Sequence, residues 1–106
     1  MKVILHLNLK RKWFDMIQSL EKPEEYRDIS PYWKRVFKEN GKIKIKGKYY
    51  HPSDVMICFS NGYAKDRDQM YCDLLSYRVG EGLQKWGAIP GKQYFVLRIT
   101  PASPDK

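Results

Sequence analysis

The sequence has few of the residues that build metal sites and disulfide frameworks. It contains 2 cysteines and 2 histidines among 106 residues, and no Cys-x-x-Cys or His-x-x-x-His pair brings two ligands together. Zinc sites and disulfide scaffolds depend on such spacings. We therefore expect Cys58 and Cys72 to be free buried thiols, and we expect no metal site and no cofactor.

Long apolar runs and the local signatures of common enzyme classes are also missing. The N-terminal segment MKVILHLNLK is too short and too interrupted for a signal peptide or a membrane span. The sequence thus predicts a cytoplasmic protein that has no membrane partner. No Ser/His/Asp or Cys/His pattern occurs, and Gly80, Gly82 and Gly87 lack the spacing of a phosphate-binding loop.

Basic and aromatic side chains, by contrast, are abundant. The chain has 20 Lys and Arg against 12 Asp and Glu, a net charge of +8, together with 8 Tyr, 4 Phe and 3 Trp. A positive field attracts polyanions, and basic side chains beside phosphates gain free energy from counterion release. These features favour RNA or a nucleotide as the partner. The plainer interpretation is a basic surface that only keeps the protein in solution.

Hydrophobic periodicity predicts one α+β domain. Alternating apolar residues indicate strands, and apolar residues at i, i+4 and i+7 indicate an amphipathic helix. The predicted elements are strand 3–9, helix 10–22 stopped by Pro23, an extended segment 24–28, helix 31–39 capped by Ser30, and strands 42–50, 54–60, 70–79 and 93–100. We expect a nearly closed barrel of about five or six strands with two short helices, because closure protects strand edges. The domain covers residues 1–100, and a flexible tail follows at 101–106.

The densest polar cluster follows the first predicted helix. In an extended segment Glu25 and Arg27 point to one face and Tyr26 to the other, and Lys22 at the helix end can lean toward the first face. Such a cluster could hold an anion, orient a water or transfer a proton. From residue types alone, a surface group of weak ion pairs is the favoured interpretation.

Three further segments combine polar and aromatic residues. Lys34 and Arg35 follow a tyrosine and a tryptophan, a pattern that suits phosphate contact beside base stacking but also fits a solvated helix face. Asn61 and Tyr63 flank a glycine at a strand end, where an amide and a phenol could read a base or form an ordinary turn. The lysines of segment 42–48 could follow a phosphate backbone or protect a strand edge.

Taken together, these motifs resemble the ASCH domain family, named for activating signal cointegrator homology. The resemblance covers about Lys2 to Ile99. It is carried by Lys22-x-x-Glu25-x-Arg27, Ser30-Pro31-Tyr32-Trp33, Phe59-Ser60-Asn61-Gly62-Tyr63, Trp86-Gly87 and the final YFVLRI strand. It implies a barrel similar to PUA domains and a cleft lined by Lys22, Glu25 and Arg27. It also implies RNA binding, although some members are ribonucleases or hydrolyse acetylated cytidine.

The chain departs from this family at two positions. The family usually has glycine two residues before its lysine, where this chain has Leu20; leucine suits the apolar face of a longer helix. The acetylcytidine amidohydrolase branch uses a threonine nucleophile three residues after its lysine, where this chain has Glu25. A carboxylate cannot replace an activated hydroxyl in acyl transfer, so that activity is disfavoured.

The first functional hypothesis is a module that binds RNA or a nucleotide, single-stranded or carrying a modified base. The residues predicted to contact this ligand are Lys22, Glu25, Arg27, Lys34, Arg35, Asn61 and Tyr63. The alternative is a metal-independent ribonuclease or modified-nucleoside hydrolase, in which Lys22 and Glu25 share proton transfer and Arg27 stabilises developing charge. A second alternative is a protein-interaction module.

Overall fold

In the part of the chain that the structure describes, five strands form one mixed sheet that curls into a half-barrel, and a two-stranded hairpin and two short helices complete the fold. A computed structural model describes residues 2–102. Its elements are β1 (Val3–Asn8), α1 (Arg11–Gln18), β2 (Glu24–Asp28), α2 (Pro31–Val36), β3 (Ile43–Ile45), β4 (Lys48–Tyr50), β5 (Val55–Ser60), β6 (Gln69–Glu81) and β7 (Gln93–Pro101). The predicted α+β class with two short helices is confirmed.

The strand order places the first two strands at opposite edges of the sheet. The order is β1-β5-β6-β7-β2, with β1 and β5 parallel and the other neighbours antiparallel. Since β1 and β2 follow each other in the chain, the segment that contains α1 must cross from one edge to the other. The gap between these two edges is where the half-barrel stays open.

The inner face of the curled sheet holds the main core. Phe95, Leu97 and Ile99 alternate along β7 toward this face, and α1 packs Phe14 and Ile17 against it. Both α1 residues are almost wholly buried, and each such side chain contributes about 1.5–3 kcal/mol on burial. A smaller cluster on the outer face consists of Tyr26, Ala88, Tyr94 and Val96.

The single strand predicted for 42–50 is wrong, because the segment folds into a hairpin. Lys46 and Gly47 have φ values of 51° and 80°, and Ile45 pairs with Lys48 across this two-residue turn. Consecutive left-handed residues form the turn that matches strand twist in tight hairpins. The lysine alternation continues through the turn and hides it, although Gly47 interrupts the apolar positions and is the signal for a turn. The lysines therefore do not share one face of one strand.

Helix α1 is shorter than the predicted helix 10–22, and Leu20 is not on its apolar face. The helix ends with a turn in which the N–H groups of Glu21 and Lys22 both donate to the Met16 carbonyl, at 2.9 and 3.0 Å. Leu20 has a φ of 70° and is 69% exposed. A non-glycine residue in this left-handed conformation costs about 1–2 kcal/mol, which explains why glycine suits the position.

Helix α2 begins as predicted and ends sooner. The Ser30 hydroxyl oxygen accepts a hydrogen bond from the Trp33 backbone N–H at 3.3 Å, and proline occupies the first helical position. This is the usual N-cap arrangement. The helix then stops at Val36 instead of continuing through the predicted segment 31–39.

The last two strands of the sheet are longer than predicted. Strand β6 runs through Gly80 to its last residue, Glu81, and β7 continues to Pro101, which lies opposite Cys72. Ala102 donates its backbone N–H to the Tyr71 carbonyl at 2.9 Å. The remainder of the predicted tail, 103–106, lies outside the described residues.

The cysteines lie on neighbouring strands but on opposite faces of the sheet. Cys72 pairs with Ile57 and Cys58 with Tyr71, and both thiols are free and fully buried. Burial raises the pKa of Cys72 to about 12, so this thiol is a poor nucleophile.

Within residues 2–102, neither helix is of the length and apolar character needed to cross a bilayer.

Candidate functional site

The charged residues of the Lys-x-x-Glu-x-Arg motif meet at the gap between the two edge strands. The two carboxylate oxygens of Glu25 accept from different cations, Oε1 from Lys22 Nζ at 2.7 Å and Oε2 from Arg27 Nη2 at 3.0 Å. The same Nη2 donates to the Asn8 carbonyl at 2.7 Å. Asn8 ends β1 and Arg27 lies on β2, so the guanidinium links the two edges. We call Asn8, Lys22, Glu25 and Arg27 the seam.

The alternation of β2 brings the two motif residues together. Glu25 lies opposite Leu97 and Arg27 opposite Phe95 in the β2–β7 register, so both share the inner face with the main core. Tyr26 lies on the outer face, where its ring packs against Tyr94 with centroids 5.6 Å apart. The predicted division of these three side chains between two faces is confirmed.

The seam is buried, so the interpretation as an exposed ion-pair group is wrong. The side chains of Lys22, Glu25 and Arg27 are 1%, 9% and 17% exposed. Two cations share one carboxylate, which leaves the three side chains with a net positive charge. Among the described residues, Arg27 Nε is a buried donor with no hydrogen-bond partner. Burying a charge without full compensation is costly, and an anionic ligand would offset that cost.

The Lys22 ammonium is enclosed by acceptors and aromatic rings. Besides Glu25, it donates to the Glu24 carbonyl at 2.5 Å, and it lies 5.6 Å from the Trp13 ring centroid and 5.2 Å from that of Tyr26. Burial lowers the pKa of Lys22, and the neighbouring Glu25 carboxylate partly offsets this effect. In this conformation Lys22 supports the seam from inside and does not reach solvent.

The loop 82–88 packs on the same two rings. A Cβ atom at Gly87, where φ is 100°, would lie 2.8 Å from the Trp13 ring, and one at Gly82 would lie 2.4 Å from the Tyr26 ring. Tyr26 also fixes the loop by accepting from the Leu83 N–H at 3.0 Å. Burial raises the pKa of Tyr26 to about 12. The loop thus covers the rings that enclose the Lys22 ammonium.

Asn61 and Tyr63, two of the predicted ligand contacts, lie in different surroundings. Asn61 lies beside the end of β1, where its Nδ2 donates to the Leu9 carbonyl at 3.0 Å. When the Asn8 side-chain amide is oriented so that both its oxygen and its nitrogen have hydrogen-bond partners, the nitrogen donates to the Gly62 carbonyl at 2.7 Å. Tyr63 follows in the loop and is 85% exposed. The structure therefore brings Asn61 next to the seam and leaves the Tyr63 ring in solvent.

Helix α2 borders the seam through its tryptophan. The Arg27 guanidinium carbon lies 5.6 Å from the Trp33 ring centroid. Lys34 and Arg35, the two predicted phosphate contacts, are exposed on the helix, and the Arg35 guanidinium lies 5.9 Å from the Tyr32 ring. Neither cation has a hydrogen bond to a seam residue within the described residues.

A wide groove lies beyond α2, and of the predicted site residues only Lys34 lines it. Its volume is about 1000 Å³, and its lining is Ile29, Lys34, Phe37, Lys38, Glu39, Asn40, Gly41, Lys42, Tyr49, Tyr77, Arg78, Val79 and Phe95. We call this surface the groove. Sequence reasoning marked only Lys34 and the lysine at the start of segment 42–48, because the lining comes from several segments and no local motif shows that they meet.

Two residues of the seam region were also missed by sequence reasoning. Trp13 has the spacing of an apolar helix residue, and Asn8 is a single polar residue at a strand end, so neither carries a distinctive signal.

No group of three His, Cys, Asp or Glu side chains within residues 2–102 is arranged to hold a metal ion. No protein-family model matches this chain, and no curated protein or solved structure is significantly similar to it.

Proposed function

We propose that this protein is a cytoplasmic RNA- or nucleotide-binding module with an ASCH-like, PUA-like fold, and that Arg27 at the seam contacts the ligand. The observation that carries the proposal is the buried excess of positive charge at the seam. Two cations there share one carboxylate, and one buried Arg27 donor has no partner among the described residues.

Arg27 is the member of the seam best placed to touch a ligand. Its side chain keeps 17% of its surface exposed, whereas the Lys22 ammonium is enclosed. A guanidinium is planar and always charged, and since both Nη2 protons of Arg27 serve Glu25 and Asn8, a phosphate or a base carbonyl would accept from its Nη1 group. Glu25 and the Asn8 carbonyl fix its orientation, so little conformational freedom is lost on binding.

The surroundings of Arg27 favour a nucleotide over a simple anion. The Trp33 ring lies beside the guanidinium, and aromatic rings provide stacking surfaces for bases. Exposed cations on α2, Lys34 and Arg35, could hold flanking phosphates. Asn61 and Tyr63 lie at the end of β5, where they could contact a base. The net charge of +8 would speed encounter with a polyanion.

A binding titration with a matched arginine control tests this proposal. We would measure the fluorescence anisotropy of a labelled single-stranded RNA, with free mononucleotides as competitors, for wild type, Arg27→Gln and Arg98→Gln. Arg98 is exposed on the other face of the sheet, so both variants lose the same charge. Losing a specific arginine contact costs about 1–3 kcal/mol, and we expect Arg27→Gln to weaken binding about tenfold or more.

Folding of both variants would be checked by thermal unfolding and near-ultraviolet circular dichroism. Arg98→Gln should weaken binding less than about threefold, since a distant charge acts only through the screened field. If a folded Arg27→Gln protein binds as well as Arg98→Gln, the seam is not the binding site. If wild type binds neither RNA nor nucleotides, the proposed function is wrong.

A specific observation also favours the alternative of a metal-independent ribonuclease or modified-nucleoside hydrolase. Burial lowers the pKa of Lys22 beside the Glu25 carboxylate, and acid–base catalysis uses groups shifted toward neutral pH. Substrate could reach Lys22 only if the loop 82–88 moved off Trp13 and Tyr26. Product analysis without added metal, comparing wild type with Lys22→Met, distinguishes turnover from binding alone.

The remaining alternative, a protein-interaction module, has support from exposed apolar side chains. Leu83 and Ile89, on either side of Trp86, are 47% and 59% exposed, and exposed apolar surface marks interaction sites when it is contiguous. The RNA titration separates this function from the others, because a module of this kind would neither bind nor change RNA.

A further inference from the structure

We infer that the groove is a second nucleic-acid-binding site, which holds a neighbouring nucleotide of the same single strand that the seam binds. The inference rests on the proposed function, because it assigns a second contact to the same ligand. It differs in the surface used, since only one predicted site residue, Lys34, lines the groove.

The groove has the size and floor of a site for a flat organic ligand. Its volume of about 1000 Å³ lies at the upper end of ordinary ligand pockets, about 300–1,000 Å³. Phe37 forms part of the floor, and its ring centroid lies 5.2 Å from those of both Tyr77 and Phe95. These rings are packed in the core, so the floor is rigid.

The positively charged side chains around this floor outnumber the carboxylates that could neutralise them. Lys34, Lys38 and Lys42 line the groove, against one acidic residue, Glu39. Arg78 also lines it, but its guanidinium is directed toward Glu24, 3.8 Å away. An aromatic floor with a lysine rim matches the two chemical parts of a nucleotide, a flat base and a phosphate.

An exposed tyrosine gives the base a surface to stack on. Tyr49 lines the groove and is 53% exposed, and the Lys44 ammonium lies 5.6 Å from its ring centroid. Val79, which also lines the groove, is 56% exposed. Exposed aromatic rings next to cations are the usual means of holding single-stranded nucleic acid without reading its sequence. This favours a nucleic-acid strand over an acidic peptide.

Hydrogen bonds fix the loop that carries two of the lysines. The Tyr77 hydroxyl lies 2.5 Å from the Lys38 carbonyl and 2.8 Å from the Lys42 carbonyl, so its proton serves two acceptors. The Lys38 N–H also donates to the Lys42 carbonyl at 3.0 Å. The backbone at both lysines is therefore in place before any ligand arrives, which lowers the entropic cost of binding.

The groove and the seam adjoin, so one strand can reach both. Phe95 lines the groove and lies opposite Arg27 in the β2–β7 register. Helix α2 supplies Trp33 beside the Arg27 guanidinium and Lys34 to the groove. A strand that has its phosphate or base at Arg27 thus has the groove within reach of its next nucleotides.

The test compares two pairs of variants in titrations with a labelled oligouridylate and with uridine monophosphate. Tyr49→Ala is matched by Tyr71→Ala, another exposed tyrosine, whose position on β6 is on the outer face. The double variant Lys38→Gln/Lys42→Gln is matched by Lys2→Gln/Lys92→Gln, which also removes two charges. Arg27→Gln is measured beside them, and salt is varied from 50 to 200 mM as in standard counterion analysis.

We expect Tyr49→Ala to weaken oligouridylate binding about tenfold, the usual effect of losing one stacked base, and to leave mononucleotide binding at the seam unchanged. The lysine double variant should reduce the salt slope by about 1.4, because each neutralised phosphate of a single strand accounts for about 0.7 of that slope. Both control variants should bind the oligonucleotide within about threefold of wild type.

Each of the other possible results contradicts the groove inference, the seam assignment or both. If Arg27→Gln weakens binding and neither groove variant differs from its control, the groove inference is wrong and the proposed function stands. If the groove variants weaken binding and Arg27→Gln does not, the seam assignment is wrong. If wild type does not bind the oligonucleotide, both fail. If a poly-glutamate peptide binds as tightly and Tyr49→Ala releases it, the groove binds acidic peptides instead.

Discussion

Charge is used in opposite ways in the seam and in the groove. At the seam, an arginine and a lysine are buried against one carboxylate and held by hydrogen bonds of 2.7–3.0 Å. In the groove, Lys34 and Lys42 are exposed and Lys38 is half-buried. An excess of positive charge therefore provides a fixed geometry at the seam and mainly attraction in the groove.

The seam and the groove should also contribute differently to the free energy of unfolding. A buried ion pair is expensive to break, because the partner that remains is an uncompensated charge. Solvated lysines contribute little to folding, because water and salt screen them. Substitutions at the seam should therefore change the free energy of unfolding, whereas substitutions in the groove should change binding and leave stability alone. The following predictions test that division, beginning with the largest effect.

Removing the shared carboxylate should cost the most. Glu25→Gln leaves Lys22 and Arg27 buried without a counter-charge, and we expect the free energy of unfolding to fall by about 3–5 kcal/mol. Asp28→Asn, on the same strand, is the control, because the Asp28 side chain is 64% exposed and its ion pair with Lys92 is screened by water, so the variant should lose far less stability. Urea unfolding at pH 7 measures both. Equal losses would show that burial of the seam does not matter to folding.

The pH dependence of Glu25→Gln provides a further check. The pKa of Lys22 in the folded protein is already lowered from 10.5 by burial, and losing the Glu25 charge lowers it further. Between that folded value and 10.5, the unfolded chain binds more protons, so stability rises with pH. The difference in the free energy of unfolding between wild type and Glu25→Gln should therefore become smaller as the pH rises from 7 toward 9.5. A difference that does not change with pH would contradict the role given to Lys22.

A smaller effect is expected at Tyr26, which fixes the loop 82–88. Tyr26→Phe removes the hydrogen bonds to Leu83 and Glu24 and should cost about 1 kcal/mol at pH 7. In wild type the pKa of Tyr26 is raised from 10.0 to about 12, so its stabilisation is complete below pH 10 and is lost as the pH rises toward 12. The gap between wild type and Tyr26→Phe should therefore narrow in urea unfolding above pH 10.

Tyr63→Phe is the control for the loss of a tyrosine hydroxyl, since that ring is 85% exposed and the variant should be as stable as wild type at pH 7. A constant gap between wild type and Tyr26→Phe from pH 8 to pH 11 would show that the hydroxyl of Tyr26 does not titrate differently in the folded and unfolded chains.

The smallest effect is expected in the groove. The double variant Lys38→Gln/Lys42→Gln should change the free energy of unfolding by less than about 0.5 kcal/mol, as is usual for surface substitutions. The Tyr77 hydroxyl holds the Lys38 and Lys42 carbonyls of this loop, and the bond from the Lys38 ammonium to the Lys34 carbonyl is long, at 3.4 Å. A loss of several kcal/mol in urea unfolding would mean that the lysines build the loop, and the contrast with the seam would fail.

Sequence reasoning located the features that depend on neighbours in the chain. The alternation of β2 places Glu25 and Arg27 on one face because side chains alternate along any strand. Serine before proline marked the start of α2 for the same local reason. The turn at Lys46 and Gly47 was missed because the lysine alternation continues across it, although Gly47 signals a turn. Leu20 was misplaced because its apolar side chain fits a helix pattern.

The features that sequence reasoning missed depend on contacts between distant segments. Burial of Lys22 requires Trp13, β2 and the loop 82–88 to come together, and no local pattern encodes this. The groove likewise needs α2, the hairpin and the ends of β6 and β7 in their final places. Periodicity indicates which face of an element is apolar, but it does not indicate which other element will cover that face.

The pairing of β2 with β7 has a consequence for the order of folding. Within the sheet, β2 has β7 as its one neighbour, and Glu24 lies opposite Arg98. Contacts between residues so far apart close late, because the intervening chain must first give up its freedom. During synthesis, Glu25 and Arg27 lack the strand that pairs with theirs until β7 has been made. The burial of their charges is therefore a late step of folding, and a chain truncated before β7 has no seam.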